Sequence, residues 1–301
     1  EDSMGQNVLL EPQSFHANVA SRELHWFDEA TSVWWTKTEE TTWSGFDVDS
    51  GDSQAKQESE QYMPWRQTLD DSMAPYFRWF VGGLTNACFN EIDRHVLSGR
   101  GQNIAIIFEG DRWDPSKNEG SGAPVFECKF TYRELLKEAV LRAEVLRSLG
   151  LTCGDRIVLN LPNILEQVFY TLAAKRIGVI YTPVFGGFSA KTLSDRIHDA
   201  GASIVITADG GYRNAELVAY KSAYTDPALD NYVPVKAALA VFSDTVSCFD
   251  LSDTAEDLYK EVAASLDGEI TIERSDLLRA LGLALSSRRD LDAGVTARLR
   301  T

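Results

Sequence analysis

Long apolar runs are missing from this chain. None reaches the roughly 18 residues that a membrane-spanning helix needs, and the best candidate, residues 168–184, is interrupted by Lys175 and Arg176. Cysteine is sparse: Cys88, Cys128, Cys153 and Cys248 stand far apart, forming neither a CxxC zinc pair nor a dense disulfide framework. They read as dispersed buried thiols in a reducing cytosol, which points to a cytoplasmic protein. His16, His25, His95 and His198 show no ligand spacing, so no metal site is expected. Positive charge is in deficit, with 29 Lys and Arg against 45 Asp and Glu and a net charge of −16. That balance disfavours nucleic acid and anionic membranes as partners, since both recruit basic patches, but it leaves room for one local cation that grips a phosphate. There is no signal peptide, and the chain opens at Glu1 rather than Met, as expected of a segment of something larger or a trimmed protein.

What is present fits a globular protein. The apolar share is 44% and the charged share 25%, and 301 residues leave room for one large domain or two ordinary ones. Trp26, Trp34, Trp35, Trp43, Trp65 and Trp79 are all but one of the 7 tryptophans. They fall without a repeat among polar residues, so residues 1–75 are expected to form an aromatic arm packed onto a domain. Residues 47–61 have no apolar periodicity and read as a solvated loop or insert. Asn86 is a plausible N-cap for a helix carrying Phe89, Ile92 and Val96. Asp93, Arg94 and His95 follow one another on it and so point about 100° apart; surface and interdomain hydrogen bonds are expected of them rather than catalysis. Residues 103–109 and 125–130 read as strands around a Gly/Pro/Ser loop. Its Gly120-Ser121-Gly122 opens no helix and is not a phosphate loop.

Thr131 and Glu134 form a capping box, in which hydroxyl and carboxylate satisfy orphan amides reciprocally. The helix they begin carries Leu135, Ala139, Arg142, Ala143, Leu146 and Leu149 on one side and stops at Gly150. Three apolar runs then follow, at 157–161, 179–184 and 203–208. They alternate with segments of helical period near 164–178 and from the Ser189 cap to about residue 199. Such β-α-β-α-β alternation specifies parallel strands with crossover helices, and sheets of that kind place their ligands beyond the carboxyl ends of the strands. Two of those ends are distinctive. Phe185-Gly186-Gly187-Phe188 precedes a helix start: its glycines permit close backbone approach, the helix N–H groups suit an anion, and Phe185 could stack on a flat ring. A plain turn with Phe185 in the core is the alternative. Arg213, after Gly210 and Gly211, could hold a phosphate bidentately or be an ordinary surface arginine.

The ordered set WFVGG…N…DRH, FTYREL, GDRIVLNLPN, VFGGFSAKTLSDRI and IVITADGGYR resembles the amino-terminal part of AMP-forming short-chain acyl-CoA synthetases, the acetyl- and propionyl-CoA synthetase group, over roughly residues 20–236. The resemblance implies an incomplete doubly wound, largely parallel α/β sheet of the adenylate-forming ligase type, with residues 76–236 as its first part. It implies activation of a small carboxylate with ATP to an acyl-adenylate, release of pyrophosphate, and attack by the thiol of coenzyme A. Phe185 would then pack on the CoA adenine, Gly186 and Gly187 would admit the ligand, and Arg213 would bind the 3′-phosphate. Many relatives carry a second arginine three residues on; this chain has Glu216. The ATP phosphate loop, the Mg-dependent ATP site, the acyl pocket and the late catalytic lysine would lie outside this chain, which alone would be inactive, and the strand edge near 203–208 would need a partner.

Residues 237–301 read as a helical add-on, with helices near 254–266 and 276–285. A calcium loop around Gly268 is not expected, because Ala263, Ser265 and Arg274 fall at ligand positions. An insert there, with the aromatic arm, is similar to what a ligase embedded in a propionyl-CoA synthase would show, fused to hydratase and reductase domains. Two other readings remain at this point: a non-catalytic ligase-like scaffold in a multienzyme, and an adenylating enzyme that loads a carrier protein.

Overall fold

In the computed structural model, the described residues are 11–30, 33–37, 42–47, 56–59, 62–214, 216–229 and 237–241. The chain divides after Gly101 into two units, Glu1–Gly101 and Gln102–Thr301.

The first unit opens with helix α1 (Pro12–Glu23), which has proline in its first turn, where a missing N–H costs nothing. Strands β1 (Trp26–Asp28), β2 (Val33–Lys37), β3 (Trp43–Asp47) and β4 (Lys56–Ser59) follow as an antiparallel meander. Trp26 and Trp35 are register partners and are buried with Val33 and Ala20. The Trp26 indole donates to the Ala20 carbonyl at 2.9 Å, so its polar edge is satisfied where its ring is buried. Trp34 stacks on Phe89 at 3.7 Å between centroids. Gly45 is required on β3, since a Cβ there would lie 2.5 Å from Val33. The aromatic residues expected as an arm thus build a core of their own around a sheet, and β4 lies within the stretch expected as a loop. Residues 48–55 lie outside the described set.

Strands β5 (Gln67–Asp70) and β6 (Arg78–Val81) form a hairpin. Asn86 caps the next helical stretch, accepting from the Phe89 N–H at 3.0 Å. Arg94 donates to the Glu23 carbonyl and Asp93 is buried.

The second unit begins with an antiparallel pair, β7 (Ile104–Glu109) and β10 (Glu127–Thr131), whose connection carries the short pair β8 (Trp113–Asp114) and β9 (Ala123–Pro124). Helix α2 (Tyr132–Ser148) starts on the expected capping box. Its Arg142 is buried, ion-paired with Glu138 and 4.7 Å over the Phe169 ring. Strands β11 (Arg156–Asn160), β12 (Ile180–Pro183), β13 (Ile204–Ala208) and β16 (Ala237–Val241) make one parallel sheet in the order β12-β11-β13-β16. Helices α3 (Leu165–Ile177) and α4 (Ala190–Ala200) connect the first three strands, ending on left-handed Gly178 and Gly201.

Alternation along the strands divides the core. Ile157, Leu159, Ile204 and Ile206 pack with α2 and α3, while Val158 and Val205 pack with Leu193 and Ile197 of α4. The partner for the edge of β13 is β16, so the first residues of the segment expected as a helical add-on are a strand. The helices anticipated beyond it, and the Gly268 loop, lie outside the described residues. Of the cysteines expected to be buried, Cys88 is, Cys128 is half-buried and Cys153 is exposed; Cys248 is outside the described residues. Among the described residues no helix is long and apolar enough to cross a membrane.

Candidate functional site

Strands β11 and β13 are neighbours whose outgoing connections lead to opposite sides of the sheet, toward β12 and toward β16. The loops at such a divergence leave a crevice above the carboxyl ends of the strands. Three strand ends meet there. After β11 come Leu161, Pro162 and Asn163. After β12, a turn closed by the Phe188 N–H to the Phe185 carbonyl (3.1 Å) leads into α4, whose cap Ser189 accepts from the Thr192 N–H at 3.2 Å. After β13 comes the hairpin of β14 (Gly211–Arg213) and β15 (Glu216–Val218), with Arg213 and Glu216 as register partners and Asn214 in the turn at positive φ.

Below this crevice a small polar network fixes the next segment. Asn160, at the end of β11, donates to the Thr225 hydroxyl at 3.0 Å, and the Thr225 and Thr207 hydroxyls are 2.7 Å apart. All three side chains are buried and satisfied by one another, so the network rigidifies rather than penalises the core. It pins the helical stretch Lys221–Thr225, and with it Tyr220, to the ends of β11 and β13.

The crevice has a volume of about 680 Å³, and Phe185, Gly186, Gly187 and Arg213 all line it. The structure therefore brings the four sequence candidates together. Phe185 is not in the core: it is 61% exposed, with the Arg213 guanidinium carbon 5.6 Å from its ring centroid and Phe188 edge-on at 5.8 Å. Side chains already fill the space the glycines create. A Cβ on Gly187 would lie 2.7 Å from both Arg213 and Phe185, and one on Gly186 would lie 2.2 Å from the Tyr220 ring. Tyr220 is 3% exposed, and burial raises the pKa of its phenol while the nearby Arg213 works in the opposite direction. Arg213 forms no ion pair among the described residues.

Sequence reasoning missed Tyr220 and four further lining residues, of which Glu109 and Asp111 contribute carboxylates and Asn163 and Gln167 contribute amides. Tyr220 carries no local signal, because only the Asn160–Thr225 network brings it under the glycines. Asn160 did carry one: it is a polar residue closing the apolar run Ile157–Leu159 of β11. The lining offers aromatic surface for stacking, one guanidinium, and carboxylate and amide acceptors. No group of three or more His, Cys, Asp or Glu suited to a metal ion occurs among the described residues.

A family model described as AMP-binding enzyme matches residues 112–276, and one described as acetyl-coenzyme A synthetase N-terminus matches residues 52–90. The acetyl-coenzyme A synthetase of Methylobacillus flagellatus is 43% identical over 176 residues, covering 58% of this chain and 25% of that protein. That of Mycolicibacterium smegmatis is 41% identical over 191 residues, covering 63% and 19%. That of Pyrobaculum arsenaticum is 42% identical over 174 residues, covering 58% and 25%. The chain thus spans a quarter or less of the length of these curated relatives.

Proposed function

Since the chain belongs to the AMP-binding enzyme family and is similar to the amino-terminal part of acetyl-CoA synthetases, we propose that it is part of an ATP-dependent, AMP-forming acyl-CoA ligase for a small carboxylate. The substrate is acetate, propionate or 3-hydroxypropionate. In the overall reaction the carboxylate is joined to AMP with loss of pyrophosphate, and the CoA thiol then displaces AMP from the acyl carbonyl. Residues 76–236 serve as the first part of a doubly wound ligase domain, preceded by the aromatic-rich residues 1–75 with a sheet and core of their own and followed by residues 237–301, which begin as a strand of the ligase sheet. The ATP and Mg sites belong to the rest of the ligase, and fused hydratase and reductase domains of the propionyl-CoA synthase kind complete the multifunctional protein in the cytoplasm.

The observation that carries this reading is the convergence of Phe185, Gly186, Gly187 and Arg213, from two separate strand ends, on one crevice. Phe185 supplies a face for adenine, and Arg213 supplies a guanidinium, without an ion pair among the described residues, for a CoA phosphate. The roles of this chain's residues are binding and orientation of the thiol substrate. In the complete ligase, Arg213→Ala is expected to raise the Michaelis constant for CoA by roughly ten- to a hundredfold, the worth of a hydrogen bond to a charged group. Carboxylate-dependent exchange of pyrophosphate into ATP should be nearly unchanged. An unaltered CoA dependence would sink the assignment, and the exchange rates with the three acids identify the carboxylate.

A further inference from the structure

The hairpin that carries Arg213 is small for its task. Strands β14 and β15 have 3 residues each, too few for a two-stranded ribbon to hold its shape in water without outside contacts. Its inner end is seated: a Cβ on buried Gly211 would lie 2.6 Å from Pro162, which follows β11. Its outer end, with Arg213, Asn214 and Glu216, is exposed. Successive side chains leave a strand on opposite faces, and those of β14 reach two different elements. The Arg213 guanidinium carbon lies 5.6 Å from the Phe185 ring centroid, beyond β12. Tyr212 instead has the Arg112 guanidinium carbon 5.1 Å from its ring centroid, on the connection that follows β7. The backbone beneath Arg112 is fixed, because its carbonyl accepts from the Val125 N–H and the Phe126 carbonyl accepts from the Gly110 N–H, both at 2.8 Å. Arg112 is exposed and forms no ion pair among the described residues. It is not among the residues lining the crevice, whereas its neighbour Asp111 and its partner Tyr212 are.

We propose that Arg112 is a positioning residue for thiol binding: through Tyr212 it anchors the hairpin, so that Arg213 stays at the crevice when a ligand ring takes its place on Phe185. The two cation–π contacts of β14 are not equivalent. The one at Phe185 occupies the aromatic face that adenine would use, so binding breaks it and turns Arg213 toward the phosphate. The one at Tyr212 persists, because Arg112 stands outside the lining and has no ligand group to turn to. A cation–π contact at an exposed site is weak, but this one acts on a three-residue strand at the residue next to Arg213. The inference rests on the assignment of the crevice to CoA and adds the residue that keeps its phosphate-binding hairpin in place.

The test is a double-mutant cycle in the complete ligase, with Arg112→Ala, Arg213→Ala, the two combined, and Arg112→Lys. The Michaelis constant for CoA and the exchange of pyrophosphate into ATP are measured for each. Arg112→Ala should raise the Michaelis constant for CoA by roughly two- to fivefold, the worth of an exposed cation–π contact, with exchange unchanged. Arg112→Lys, which keeps a cation over the ring, should recover most of that loss. In the double variant the Michaelis constant should be no higher than with Arg213→Ala alone, since an anchor has nothing to position once Arg213 is gone. If the two effects multiply, or if Arg112→Ala leaves CoA dependence unchanged, the inference fails while the CoA assignment stands. A parallel loss of exchange, or no recovery with lysine, also overturns it, because Arg112 then serves the fold at large or acts by other means than its charge over Tyr212. If Arg213→Ala itself leaves CoA dependence unaltered, the CoA assignment falls and the inference with it.

Discussion

Adjacent glycines can do different work. Gly186 faces a wall: its missing Cβ would meet the ring of Tyr220, which is buried and backed by Tyr224 at 5.6 Å between centroids. Gly187 faces the movable ends of Arg213 and Phe185, both exposed. Gly186→Ala is therefore expected to destabilise the chain by about 1–3 kcal/mol, the range for overpacking, seen as a lower urea midpoint with an unchanged slope. The loss should be largely recovered in a Gly186→Ala/Tyr220→Leu double variant, because residues in contact are not additive; a strictly additive pair would remove the wedge role given to Tyr220. Gly187→Ala should cost little stability and act on ligand binding instead. Phe185, Gly186, Gly187 and Arg213 were legible as candidates because strand ends can be read from local pattern. Tyr220 was not, because its place depends on a buried hydrogen-bond network between residues 65 positions apart.

The elements that were legible are those whose ends are written locally. The Thr131–Glu134 box, the Ser189 cap and the three apolar strands fall within a residue or two of their expected places. The elements that were not are those for which partners override propensity. Residues 237–241 read AALAV, a good helix former, yet they pair as a parallel strand because the edge of β13 offers a row of backbone donors and acceptors. In β2 the adjacent Trp34 and Trp35 hide the period of two, since both faces of that strand meet aromatic surface. Ser189 matters most among the caps, because it fixes where the glycine turn ends and α4 begins. Ser189→Ala should lower stability by about 1 kcal/mol, whereas Ser189→Asp, which keeps the acceptor and suits the helix dipole, should not. Equal losses in urea unfolding would mean that the cap is not the source.

At the scale of the molecule, acid acts on the first unit through its histidines. The histidines with a resolved shift, His25 and His95, both lie in Glu1–Gly101. His25 is lowered from 6.5 to about 4, chiefly by burial and then by Arg94 and His95. Below pH 6.5 the unfolded chain takes up a proton that folded His25 refuses, so the first unit should lose stability as pH falls from 6.5 toward 4. Asp70, lowered to about 2 by hydrogen bonds from Ser72 and then Arg78, adds a further loss only below pH 3.8. Urea midpoints between pH 7 and 4.5, followed through the tryptophans of the first unit, should show this slope, and His25→Gln should flatten it. A slope that survives the substitution unchanged would assign it to other groups.

The parallel pairing of β16 with β13 also sets an order in time. Ala208 closes β13, and the last residue of its edge partner, Val241, leaves the ribosome 33 residues later. At synthesis rates of about 5–20 residues per second that is a delay of roughly 2–7 s. Arg213, Glu216, Tyr220 and Thr225 all emerge within that interval. Strand β16 reaches the edge of β13 only after Tyr212, Arg213 and Tyr220, which line the crevice, have been made, so a nascent chain that can hold the ligand is one whose exposed strand edge is about to be covered.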